Sequence, residues 1–156
     1  MSEGTHSLGN AARSAPALSQ DDGQRDRSHL DRRRGPNDLP DLSGRRILVV
    51  EDSYFIAADI AGALSAAGAQ VLGPCPTEKA ACDLLVCEAL THAVIDLNLD
   101  EAGPRFHVAH LLKAHAVPFI IVTGYDGDVI TPEFCDIPCL QKPLSDRVIV
   151  RAIGGV

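Results

Sequence analysis

The chain has no C-x-x-C pair, and its five cysteines, Cys75, Cys82, Cys87, Cys135 and Cys139, form an odd set. That argues against a disulfide framework and a zinc site, and it predicts small buried hydrophobes in a reducing compartment. No apolar run is long enough to span a bilayer, and no N-terminal segment has the apolar centre of a secretory signal. Arg32, Arg33 and Arg34 could open an export signal, but the Gly-Pro-Asn-Asp that follows is polar. These absences predict a cytoplasmic protein with no membrane partner.

Clustered basic residues are also missing where a fold can form. Residues 1–43 hold 6 Lys+Arg against 7 Asp+Glu, and residues 44–156 hold 8 against 14. Binding to a nucleic-acid backbone needs clustered Lys and Arg to replace phosphate counterions, so a cation suits this domain better than DNA or RNA. An apolar share of 46% and a charged share of 22% fit one soluble globular domain.

Residues 1–43 are rich in Ser, Gly, Asp, Arg and Pro, with no sustained helix or strand period. They read as a flexible tail, an inert extension rather than a docking segment. From residue 44 onward, short aliphatic runs alternate with helix-like segments. Ile47 to Val50 predicts a first strand, and Ser53 caps a helix whose Ile56, Ile60 and Leu64 recur every fourth residue until Gly68 ends it. Val71 and Leu72 mark a second strand, and Thr77 caps a helix carrying Ala81, Leu84 and Leu85. Ala93 to Asp96 forms a third strand, Pro104 opens a third helix as its first residue, and Phe106, Ala109 and Leu112 line that helix's inner side.

Phe119 to Val122 reads as the fourth strand, Leu140 belongs to the fifth, and Ser145 caps a last helix containing Val148, Ile149, Ala152 and Ile153. Only 18 residues separate Thr123 from Lys142, with Pro132 among them. The fourth helix is therefore expected to be short, frayed or absent. Strands alternating with amphipathic helices predict an α/β domain, a doubly wound five-stranded parallel sheet covered on both faces.

Ligands of open α/β sheets sit outside the carboxyl ends of the strands, where the strand order reverses. Strand one runs into Glu51 and Asp52, strand three ends in Asp96, strand four runs into Thr123, and strand five into Lys142. Three carboxylates at one rim raise each other's proton affinity unless a cation joins them. Oxygen donors with no His or Cys nearby favour Mg²⁺, which also accepts phosphate oxygens. Lys142 adds a mobile positive charge and Thr123 a hydroxyl donor, a set suited to phosphoryl transfer by positioning and charge neutralisation.

Four segments in this order resemble the response-regulator receiver family: Ile-Leu-Val-Val-Glu51-Asp52, Val-Ile-Asp96-Leu-Asn98-Leu, Val-Thr123-Gly124-Tyr125 and Gln-Lys142-Pro143. The resemblance spans about residues 44–156 and implies a (βα)5 flavodoxin- or CheY-like fold. It implies that Asp96 accepts the phosphoryl group, with Glu51, Asp52, Asp96 and the backbone carbonyl of Asn98 holding Mg²⁺. Thr123 is then the switch hydroxyl and Lys142 the phosphate contact. The implied donor is a sensor histidine kinase or a phosphotransfer protein.

The Val-Thr-Gly-Tyr and Lys-Pro pieces are similar to an alphaproteobacterial subgroup, the FAT-GUY receivers, with Ile121-Val122 in place of the usual Phe-Ala. Many receivers carry Tyr or Phe three residues before the lysine. Here that position is Cys139, and Tyr125 is the substitute switch candidate. Because no chain follows Val156, the output is expected to be a contact with a downstream protein, or a sink for phosphate, and the only catalysis is the chain's own phosphorylation and dephosphorylation. The alternatives are a degenerate receiver that binds partners independently of phosphate, and a small phosphohydrolase with an aspartyl-phosphate intermediate. His107, His110 and Arg105 read as solvated helix or loop residues.

Overall fold

The structure, a computed structural model, describes residues 38–99, 103–124 and 130–156. Tyr125 and residues 1–37 of the expected tail lie outside the described residues.

Five strands, β1 (Arg46–Val50), β2 (Gln70–Cys75), β3 (His92–Asp96), β4 (Phe119–Thr123) and β5 (Cys139–Gln141), alternate with helices α1 (Tyr54–Ala66), α2 (Glu78–Cys87), α3 (His107–Ala114) and α4 (Asp146–Gly154). All strands pair in parallel in the order β2-β1-β3-β4-β5. This is a doubly wound α/β fold. The strand order reverses between β1 and β3, which puts the ligand crevice at their carboxyl ends.

Period-two alternation divides the core. Ile47 and Val49 of β1 face one side with Ile120 and Val122, packing on Ile60 and Leu64 of α1 and Ile149 and Ile153 of α4. Leu48 and Val50 face the other with Ile95 and Ile121, packing on Ala81 and Leu85 of α2 and Ala109 and Leu112 of α3. Burying each of these Val, Leu and Ile side chains contributes about 1.5–3 kcal/mol. The central strands are apolar on both faces because helices cover both.

Between β4 and β5, among the described residues, the chain forms a single 3-10 turn, Pro132–Phe134, where the fourth helix of a five-helix arrangement would lie. The expectation from the short Thr123-to-Lys142 spacing agrees with this. The last helix is α4 in this numbering.

Several local expectations are corrected. Pro104 does not open α3. The Arg105 N–H donates to the Leu97 carbonyl at 2.8 Å, and the helix begins three residues after Pro104, at His107. Ser53 and Ser145 stand at the N-cap positions of α1 and α4, but neither side chain makes a capping hydrogen bond. Thr77 does cap, accepting the Ala80 N–H at 3.2 Å. The cysteines are not uniformly buried: Cys75 is, Cys82 is intermediate, and Cys87, Cys135 and Cys139 are exposed.

The domain also starts earlier than residue 44. Leu42 is fully buried and its N–H donates to the Ala67 carbonyl at 2.8 Å. A Cβ on Gly154 would lie 2.4 Å from the Pro40 ring, so a larger residue there would push this segment off α4. Gly68, in the left-handed region at φ 97°, ends α1 and faces Ser43. One apolar anchor, Leu42, is too sparse a signal to mark packing against a polar background.

Candidate functional site

Each acid is delivered by the end of a strand. Val50 pairs with Ile95, so the residues that follow them, Glu51 and Asp96, emerge side by side at the reversal point. Asp52 comes one step later, before α1. β4 pairs with β5 through Thr123↔Gln141, and the Lys142 N–H donates to the Thr123 carbonyl at 2.8 Å. That bond carries Lys142 to the same rim. Its peptide bond to Pro143 is cis.

The side chains then converge. Glu51, Asp96 and Thr123 are the buried polar residues of the described chain, at 2%, 5% and 2% exposure, while Asp52 is exposed. One carboxylate oxygen from each of Glu51, Asp52 and Asp96 falls within 4.8 Å of the others. Lys142 Nζ donates to Glu51 Oε2 at 2.5 Å and to Asp96 Oδ2 at 2.7 Å. The remaining oxygens are held by the backbone: Ser53 N–H donates to Glu51 Oε1 at 3.2 Å, and Asn98 N–H to Asp96 Oδ1 at 2.8 Å. Ser53, expected to cap a helix through its hydroxyl, instead serves the site through its amide.

Electrostatics follow from burial. Loss of water pushes the Glu51 carboxyl above the ordinary glutamate value, and the Asp96 charge adds to this against the opposing pull of Lys142. Burial alone would lower the pKa of Lys142. Its hydrogen bonds to Asp96 and Glu51, and their charges, outweigh that and hold it above the ordinary lysine value. Lys142 is therefore a fixed cation between two acids.

The donor set tests what ion fits. All three groups offer oxygen, neither His nor Cys enters this cluster, and the exposed Asp52 leaves an open side for water or substrate. Such a cluster fits a hard divalent cation. A groove of about 440 Å³ lined in part by Glu51, Asp52, Tyr54 and Pro74 lies beside it. Cys139, at the start of β5, is exposed. The proposed switch tyrosine, Tyr125, falls outside the described residues. His107 and His110 do not join the cluster; His110 accompanies Glu133 at 3.1 Å, and Arg105 lies 3.8 Å from Glu78. Among the described residues, no helix is long and apolar enough to cross a membrane.

No protein-family model matches the chain, and no curated protein matches it. Solved structures do. The solution structure of SdrG from Sphingomonas melonis Fr1 aligns with a TM-score of 0.62 at 29% identity, covering 72% of this chain and 97% of that one. The BeF3-activated conformation of SdrG from Pseudomonas melonis Fr1 aligns at 0.58 with 32% identity, covering 66% of this chain and 88% of that one. A response regulator from Burkholderia pseudomallei, with a phosphorylated aspartic acid, a calcium ion and citrate, aligns at 0.60 with 22% identity over 70% of this chain and 66% of that one. Fold and acid cluster together define a receiver domain. The chain belongs to the response-regulator receiver family.

Proposed function

We propose that the chain accepts a phosphoryl group on Asp96 from a phosphohistidine of a sensor histidine kinase or phosphotransfer protein, using Mg²⁺ held by Glu51, Asp52, Asp96 and the Asn98 carbonyl. The observation that carries this is the placement of the Asp96 carboxylate, buried at the reversal point, beside two further acids and one lysine. The phosphorylated aspartate and calcium ion of the Burkholderia protein support the same chemistry on this fold.

In this reading an Asp96 oxygen attacks phosphorus in line, the new P–O bond forms as the P–N bond to the donor histidine breaks, and the imidazole leaves. Magnesium supplies the positive charge that lets three acids and a phosphoryl group share one rim. Lys142 contacts a phosphoryl oxygen, and the Thr123 hydroxyl donates to another. Water later hydrolyses the acyl phosphate. The chain turns over no external substrate. It works in the cytoplasm and either signals through a phosphorylation-dependent contact with a downstream protein or drains phosphate from a kinase.

A second reading, a binding module indifferent to phosphate, draws support from Lys142, whose ammonium bridges both buried acids. Incubation with acetyl phosphate separates the two. The proposal expects Mg²⁺-dependent phosphorylation that chelator abolishes and Asp96→Asn prevents; an unmodified wild-type chain would leave the binding module standing.

A further inference from the structure

The chain after Asp96 and the chain after Thr123 are joined by a pair of rings. The loop from Asp96 ends at Phe106, directly before α3. The stretch after Thr123 leads to the 3-10 turn that ends in Phe134. Phe106 and Phe134 stack, with centroids 5.5 Å apart and planes 7° from parallel. Phe134 is fully buried, meets Phe119 of β4 edge-on at 6.4 Å, and is covered by His110 at 5.1 Å and Lys113 Nζ at 5.3 Å. Lys113 also donates to the Glu133 carbonyl at 2.7 Å.

This turn is thus fastened to α3 rather than packed as a helix of its own. Ile137, just before β5, packs against the same apolar cluster, and its N–H donates to the Phe134 carbonyl at 3.0 Å. A displacement of Phe106 or of the Pro132–Phe134 turn repacks or breaks the stacked rings, because packed interiors have discrete arrangements rather than continuous ones. Cys139 offers no ring on β5 to do this work.

We infer that the Phe106–Phe134 stack is the mechanical link that carries phosphorylation at Asp96 to residues 131–141, which form the responding surface. The inference rests on Asp96 being the acceptor. Phe106 and Phe134 touch no reacting atom, so they are positioning residues. The stack favours one relative placement of the two loops, and removing one ring leaves each loop free to settle by itself.

The test uses the full chain, beryllofluoride with Mg²⁺ as the phosphoryl mimic, and amide chemical shifts as the readout. In the wild type, shifts appear both at residues 97–99 and at 131–141. Phe106→Leu, at a partly buried position, keeps the first set and loses the second. Phe106→Tyr retains a stacking ring and restores the second set. If Phe106→Leu and Phe134→Leu, each folded by its dispersed spectrum, both transmit as the wild type does, the link is overturned. A wild type without shifts at 97–99 overturns the acceptor reading itself, and with it this one.

Discussion

Lys142 Nζ donates to Asp96 Oδ2 at 2.7 Å across two parallel strand pairings, β3 with β4 and β4 with β5. The same ammonium reaches Glu51, so a single lysine answers the charge of both buried acids. A divalent cation answers that charge too. Under the proposed function, metal and lysine are alternative solutions to one electrostatic problem, and the first two predictions follow from their competition.

Lys142→Met strips the counter-ion from Glu51 and Asp96. Breaking a fully buried pair costs about 3–5 kcal/mol; the 17% exposure of the lysine side chain brings the expected loss to about 2–4 kcal/mol without metal. Millimolar Mg²⁺ should restore much of it, since the ion replaces the missing charge. Urea unfolding of both chains, with and without Mg²⁺, measures this; equal losses in both conditions would contradict the competition.

Magnesium's stabilising effect should grow with pH. Glu51 has a raised folded-state pKa, so its ionisation opposes folding: stability falls as pH rises from the ordinary value of 4.5 through the raised one. Bound Mg²⁺ needs the ionised carboxylate and reverses that loss. Thermal melts with and without Mg²⁺, from pH 4.5 upward, should separate progressively. Lys142 acts at the other end of the scale. Its raised pKa gives stability that is full below 10.5 and lost as pH rises through the folded value.

His92 contributes a separate acid effect far from the acids. Burial, assisted by the Arg45 charge, holds its pKa below the ordinary 6.5, although the Val156 carbonyl opposes this. The unfolded chain therefore binds the proton more readily, and stability falls as pH drops below 6.5 toward the folded value. His92→Gln should flatten this part of the stability profile in chemical denaturation across that range.

Leu42 tests where the domain begins. Leu42→Ala should cost about 2–5 kcal/mol, as for other fully buried leucines. A change within about 0.5 kcal/mol, the range of ordinary surface substitutions, would return residues 38–43 to the tail.

The legible parts of this molecule are those where one residue type has one explanation. Ile47–Val50 and Phe119–Val122 are apolar on both faces, which only a covered parallel strand accommodates, and the acids and lysine fall at the ends of such runs. The 18-residue interval before Lys142 leaves no room for a full helix. Other features depend on partners distant in sequence. Pro104 suits a helix start locally, but the Arg105-to-Leu97 backbone bond closes the loop first. Ser53 is a good cap by composition, yet Glu51 takes its amide. Phe134 takes its place from Phe106 and Phe119, both distant from it in sequence.

The site of modification is the most direct test. After phosphorylation by acetyl phosphate with Mg²⁺, borohydride reduction converts an acyl phosphate to an alcohol, turning the modified aspartate into homoserine. Peptide mass spectrometry should find homoserine at position 96 alone. Homoserine at position 52, or a phosphoryl group surviving on another residue with Asp96 intact, would contradict the account.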